Sequence, residues 1–419
     1  MLLSLLLGCD PSALEVGLRP EVDSAPPIAV EEIAPAPPIS GLCTLKLDCA
    51  SAVVDSPPTS CSLELRRSPE SPAWSGRGMV QLRGRSSTSF PKPQLAVQLV
   101  NDDGEAAGAN LLGMGRDPDW VINGAYIDRA LLRNLFGYTL FQELGGPERY
   151  APESRTCTLV WNGTDSGVFF LVEKIKADDD RVVLRDDPTG ASFVVKLDDE
   201  AGILDNSAIG YGTWQVVSPA EPTAAQAEGI RQHLSDWQAA LVAGQGARLE
   251  RLVDVDSAID FVLLQELLRN NDAYFLSVHL WRDVDSGLRF TPWDLDLTLG
   301  QPTYNDNANP EGWVAYRPAM ISGLTAIPDF QDRLAARWVA LRQGPWADAA
   351  LLAAIDAQHT RLGAELAENF AIWPWEQIPL YWPTLPEVAG PEEEYARIRS
   401  WIVTRTAWID TNIAAWSSQ

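Results

Sequence analysis

Phe290-Thr-Pro-Trp-Asp-Leu-Asp-Leu-Thr-Leu-Gly300 sets two carboxylates, Asp294 and Asp296, into an apolar run. Side chains two apart on an extended strand share a face, so the alternation with Trp293, Leu295 and Leu297 predicts a strand that points both carboxylates the same way. Like charges held together need a cation beside them. For hard oxygen ligands that cation is Mg²⁺, Mn²⁺ or Ca²⁺. A second polar cluster, Asn270-Asn-Asp-Ala-Tyr274, directly follows an apolar helical segment earlier in the chain. If the two clusters meet, they can handle a metal-bound phosphate.

The chain around them has 419 residues, 46% of them hydrophobic, enough for a large core or more than one domain. Its net charge of −25 argues against a nucleic-acid partner, because phosphate backbones are bound by Lys/Arg-dense surfaces. Sixteen tryptophans are many, and packing in core and between parts of the fold accounts for them more simply than ligand contact does.

Met1-Leu-Leu-Ser-Leu-Leu-Leu-Gly-Cys9 is too short for a membrane-spanning helix, which needs about 20 apolar residues. It has the length of a signal-peptide apolar region, and Leu6-Leu7-Gly8-Cys9 is similar to a bacterial lipobox, although a basic leader is missing. Residues 10–40, rich in Pro, Ala and Glu, have the composition of a tether. The expectation is a cell-envelope lipoprotein whose only membrane contact is a lipid on Cys9, or a cytoplasmic protein if the signal reading fails. Cys43, Cys49, Cys61 and Cys157 are then compatible with two disulfides, whose pairing the spacing leaves open among three possibilities. Zinc is the weaker rival, with no Cys-x₂-Cys pair and no nearby His.

Alternating segments at 43–47, 61–65, 78–83, 94–100, 156–161, 167–172 and 193–197 read as strands. Between the third and fourth, Gly84-Arg-Ser-Ser-Thr-Ser89 forms a turn whose amides and hydroxyls can cradle phosphate oxygens, with Arg83 and Arg85 adding charge. Most turns of this composition are only turns. Asp128 precedes an amphipathic helix at 129–144, where Arg133 and Asn134 fall beside the buried stripe. From residue 213 the pattern turns helical, at 224–243, 257–269, 331–341, 347–370 and 392–415, with a hairpin at 275–281 and 288–291 delivering the carboxylate stretch.

Several ordered blocks together are more specific than any one of them. Arg83-Gly-Arg-Ser-Ser-Thr-Ser-Phe-Pro-Lys92, Leu111-Leu-Gly-Met114, Tyr126-Ile-Asp-Arg-Ala-Leu-Leu-Arg-Asn134, Asn162-Gly163, Glu173-Lys-Ile-Lys176, Asn270-Asn-Asp-Ala-Tyr274 and Trp293-Asp-Leu-Asp296 run in this order. From about residue 78 onward this series resembles the CotH family of spore-coat-type protein kinases. The resemblance implies an α+β, bilobed protein-kinase-like fold, with a strand-rich N-terminal lobe at 41–212 and a helix-rich C-terminal lobe at 213–419. It implies ATP and Mg²⁺ as cofactors and Ser/Thr of a protein as acceptor.

Carried over by position, the resemblance makes Asp272 the catalytic aspartate and Asp294 the metal ligand, with Asp296 and Asn270 as further metal or supporting residues. Arg83, Arg85, Ser86, Ser87 and Thr88 become phosphate contacts, with Lys174 or Lys196 next and Glu173 placed to pair with a lysine. Each has a plainer reading. Asp294 and Asp296 can be a structural Ca²⁺ site or a salt-bridged pair, Asp272 a turn cap, and Glu173, Lys174 and Lys196 solvated surface charges. After Phe90-Pro91 the chain has Lys92-Pro-Gln-Leu95, where family members often carry paired lysines and an aromatic. The alternative function is a surface-tethered binding or adhesin-like module with a structural cation and no catalysis.

Overall fold

Among the described residues nine strands lie in the first part of the chain: β1 (Cys43–Cys49), β2 (Thr59–Arg66), β3 (Trp74–Arg83), β4 (Gln94–Val100), β5 (Ala109–Asn110), β6 (Arg116–Asp117), β7 (Asp119–Asn123), β8 (Ser154–Trp161) and β9 (Thr164–Glu173), with apolar side chains at every second position of β1, β2 and β4. The structure, a computed structural model, describes residues 41–68, 71–270, 272–301, 308–378 and 388–418. The lipobox with Cys9, the 10–40 tether and Asn271 lie outside these. β5 and β6 pair only with each other, and the other seven close into a barrel in the order β1-β2-β3-β4-β7-β9-β8. The closing seam is the parallel pair β1–β8, with Cys43 opposite Cys157.

Both ends of β1 are stapled. Cys43 is bonded to Cys157 across the seam, and Cys49 to Cys61 on β2. This settles the pairing and leaves no thiol set for zinc among the described cysteines. Leu45, Leu47, Leu63, Leu65, Val80, Leu95, Val97, Leu99, Ile122 and Phe169 fill the barrel interior. On β7 and β9 the alternate residues are buried too: Val121, Val168, Phe170 and Val172 face outward into a second, larger core. A strand covered on both faces reads as a continuous apolar run, which is why β9 carries Val168-Phe-Phe-Leu-Val172.

That second core is built on α1 (Arg133–Gln142) and a five-stranded antiparallel sheet of β10 (Phe193–Asp198), β11 (Leu204–Asp205), β12 (Thr213–Ser218), β13 (His279–Arg282) and β14 (Arg289–Thr291), in the order β11-β12-β10-β13-β14. Phe193, Val195, Leu197, Trp214, Leu280 and Phe290 on one face of the sheet join the same core as α2 (Ala224–Val242), α3 (Gly246–Leu252) and α4 (Val255–Leu268). The remaining helices are α5 (Ala319–Ser322), α6 (Phe330–Arg342), α7 (Asp348–Leu362), α8 (Ala364–Ile372) and α9 (Pro391–Asn412).

The bilobed, protein-kinase-like arrangement expected from the sequence is therefore not the one formed. The early strands close on themselves instead of making an open lobe sheet, and β10 to β12 leave them to pair with β13 and β14 from beyond residue 213. Alternation identifies a strand but not its partner, and the pairings that close the barrel and join the second sheet span long stretches of sequence. Local boundaries shift for identifiable reasons as well. The helix expected at 129–144 begins only at Arg133, because the Asp128 carboxylate accepts the N–H groups of Ala130, Leu132 and Arg133 and holds an irregular turn ahead of it, with Leu131 at φ 50°. The helix expected at 347–370 breaks at Gly363, where φ is 49°.

Candidate active site

Arg83 ends β3 with its side chain toward a cavity of about 310 Å³ at the edge of the barrel, at the small end of the usual range for ligand sites. Its Nη1 donates to Gln94 Oε1 at 2.9 Å, from the facing position on β4, and its guanidinium lies 5.5 Å from the Trp293 ring centre. The chain then turns at Gly84, φ +100°, where a Cβ would stand 1.8 Å from Ser87 Oγ, so only glycine fits. Residues Ser86–Ser89 form a single 3-10 turn. Thr88 Oγ1 donates to Arg85 O and Ser89 Oγ to Ser86 O, so these hydroxyls are engaged by the turn itself. Arg83, Arg85, Ser86 and Ser87 line the cavity; Thr88 does not. Arg85 is ion-paired with Asp199 just beyond β10.

Asp272 reaches the cavity from the end of α4. There Arg269 adopts a left-handed conformation and Asn270 turns inward, its Nδ2 donating to Gln265 Oε1 at 2.9 Å and its Oδ1 accepting the Asp272 N–H at 3.1 Å. Asn270 is buried and does not line the cavity, so its work is to hold the turn that presents Asp272.

The carboxylate stretch is not a strand. β14 ends at Thr291, and Asp294 sits at φ 59°, in the left-handed region. Asp294 and Asp296 nevertheless converge on the cavity with Asp272 because the backbone between them is held by α1. Leu295 N–H donates to Asn134 Oδ1 at 2.6 Å, Asp294 N–H to Tyr138 Oη at 3.3 Å, and Arg133 Nε to Thr298 O at 2.8 Å. Gly137 makes this approach possible, since a Cβ there would stand 2.3 Å from Leu295 Cδ1.

The electrostatics are those of acids crowded together. Desolvation by the surrounding protein, followed by the charge of Asp272, raises Asp294 to about 6 against the opposing pull of Arg83, although the side chain itself reaches solvent through the cavity mouth. Burial and the neighbouring Asp294 and Asp272 raise Asp296 well above the carboxylate range. Among the described residues no three His, Cys, Asp or Glu side chains are disposed to enclose an ion by themselves. Mg²⁺ does not require that: it is typically held by one or two carboxylates plus waters and phosphate oxygens. Two mutually repelling carboxylates that open on a cavity with two arginines fit such an ion.

Other sequence candidates lie elsewhere. Glu173 ends β9, accepts the Tyr150 hydroxyl at 3.1 Å and the Glu153 N–H at 2.9 Å, and is raised to about 7 by burial; its nearest cation is Arg181 at 3.9 Å, not a lysine. Lys174 is exposed. Lys196 pairs with Asp198 at 2.7 Å, and neither lysine lines the cavity. Conversely, Asn134, Tyr138, Trp293, Phe90 and Ile127 line it without having been singled out as contacts. The one available signal was the polar Arg133-Asn134 pair beside the apolar stripe of α1.

The family described as CotH kinase protein matches residues 80–409, and the chain belongs to it. No curated protein matches the chain.

Proposed function

We propose that this protein is a kinase that transfers the γ-phosphoryl group of ATP to a Ser or Thr hydroxyl of a protein, with Mg²⁺. The observation that carries the reading is the convergence of Asp272, Asp294 and Asp296 with Arg83, Arg85 and the Ser86–Ser87 turn on one cavity, although they come from widely separated parts of the chain. Phosphoryl transfer asks little covalent chemistry of a protein; alignment and charge neutralisation do most of the work. In this reading Arg83 and Arg85 take phosphate oxygens, the backbone and hydroxyls at Ser86 and Ser87 orient them, and Asp272 orients the acceptor hydroxyl and receives its proton. Asp294 and Asp296 would hold Mg²⁺, which when bound neutralises charge on the transferring phosphate. Phe90, Ile127 and Trp293 narrow the access of water. The two disulfides support an exported protein, and we place it at the cell envelope through a lipid on Cys9.

The test is incubation of the purified protein with Mg²⁺ and ATP labelled at the γ or, separately, the α position. Transfer of γ label to the protein itself or to a casein-type acceptor, lowered at least about a hundredfold in Asp294→Asn, supports the proposal. Transfer of α label instead makes it a nucleotidyl transferase. No transfer, with a melting temperature that responds to Ca²⁺ and ignores ATP, makes it a binding module.

A further inference from the structure

α1 presents two polar side chains one helical turn apart, Asn134 and Tyr138, to the stretch that bears the carboxylates. Each takes a consecutive backbone N–H of that stretch: Asn134 Oδ1 from Leu295 at 2.6 Å, Tyr138 Oη from Asp294 at 3.3 Å. One position over, Arg133 Nε holds Thr298 O at 2.8 Å, and Arg133 is itself immobilised, fully buried between Asp128 and Glu394. Asp294 adopts a left-handed φ of 59°, which a residue with a Cβ avoids unless its surroundings impose it. The carboxylates take no part in these contacts; only the peptide groups between and beside them do.

We propose that Asn134 and Tyr138 are positioning residues: they pin the peptide groups of Asp294 and Leu295 to α1 and thereby aim the Asp294 and Asp296 carboxylates together at a divalent cation. This rests on the kinase reading for the purpose of the site, but not for the binding itself. Cation ligands depend on the residues that orient them, and loss of such a partner typically weakens metal affinity about 10- to 100-fold. Leu295 fixes which end of the Asn134 amide does this work, since its N–H requires the oxygen. Asp at position 134 preserves that acceptor, whereas Leu abolishes it.

The experiment is calorimetric titration of the full chain with Mn²⁺, beside thermal melts by circular dichroism and the ATP assay. Asn134→Leu and Tyr138→Phe are expected to bind Mn²⁺ at least about tenfold more weakly than wild type, with melts showing a folded protein, and Asn134→Asp to bind at least as well as wild type. Their turnover number should fall more than their KM for ATP rises, because a misaimed ion harms the reacting geometry. Wild-type Mn²⁺ affinity in folded Asn134→Leu and Tyr138→Phe overturns the proposal, as does Asn134→Asp binding as poorly as Asn134→Leu, or a wild-type protein that binds no Mn²⁺. If the Mn²⁺ pattern appears but no label moves from ATP, the positioning role stands and the kinase reading falls.

Discussion

Arg133 Nη2 donates to Glu394 Oε1 at 2.5 Å, joining α1 to α9 across 261 residues of sequence, with both side chains almost wholly out of solvent. Burial would push the Glu394 carboxyl up; Arg133 and Arg397 more than reverse this and hold it at about 2. A carboxyl lowered on folding stabilises the protein above its unfolded pKa, and loses that contribution as pH falls toward the folded value. Glu394→Ala should therefore cost up to about 3–5 kcal/mol at pH 7, because buried Arg133 is left with Asp128 alone to balance it and one face of its guanidinium unpaired. Urea melts should show the gap from wild type narrowing between about pH 4.5 and pH 2.

Lys92 gives a pH effect of the same sign in a higher pH range. It is fully buried, its Nζ donating to Val168 O at 2.5 Å and Asn369 Oδ1 at 2.8 Å, which joins the barrel to α8. Burial lowers it to about 7, against a smaller upward pull from Asp128. Between that value and the unfolded lysine's, near 10.4, the unfolded chain carries the extra proton, so stability rises with pH across this window. Comparing wild type with Lys92→Met isolates the slope: the wild-type curve should gain on the variant by several kcal/mol, on the order of the pKa difference, from pH 7 to pH 10.

The two disulfides should differ in weight. Cys43–Cys157 closes a separation of 114 residues and Cys49–Cys61 one of 12. In the chain-entropy account the longer loop is worth about 4.7 kcal/mol and the shorter about 3. Cys43→Ser/Cys157→Ser should therefore lower the melting temperature more than Cys49→Ser/Cys61→Ser, and dithiothreitol should lower it more than either.

Gly137→Ala separates packing from helix propensity. Alanine favours a helix interior by about 1 kcal/mol over glycine, but here its Cβ meets Leu295 Cδ1 at 2.3 Å and Leu268 Cδ1 at 2.9 Å. The net effect should be destabilisation of about 1–3 kcal/mol. Displacement of Leu295 should reduce Mn²⁺ affinity in protein that remains folded at the assay temperature.

The strands of the barrel were legible because their alternation is local: 43–47, 61–65 and 94–100 lie within β1, β2 and β4. Barrel closure was not, since nothing near Cys43 marks Ser154–Trp161 as its neighbour. The aspartates at 294 and 296 both line the cavity, but not by sharing a strand face. A strand would have aimed both the same way, but the left-handed Asp294 and the grip of Asn134 and Tyr138 do so instead, and a helix one and a half hundred residues upstream leaves no trace in the stretch it bends. Asn270 looked like a ligand because Asn and Asp at a helix end suit both chelation and turn-making; its hydrogen bonds to Gln265 and Asp272 show the turn.

The five-stranded sheet bears on how the protein is made. β10 is its central strand, with β12 on one side and β13 on the other, and during synthesis β10 and β12 leave the ribosome well before β13 exists. Until His279–Arg282 emerges, the nascent chain exposes an apolar edge rich in Phe, Val and Leu, the kind of edge on which chains aggregate. The barrel has no such interval once Thr164–Glu173 has been made. Truncation after β12 should consequently yield a closed, disulfide-stapled barrel carrying a sticky flap, and a chaperone that binds extended apolar segments would find its target at Phe193–Asp198.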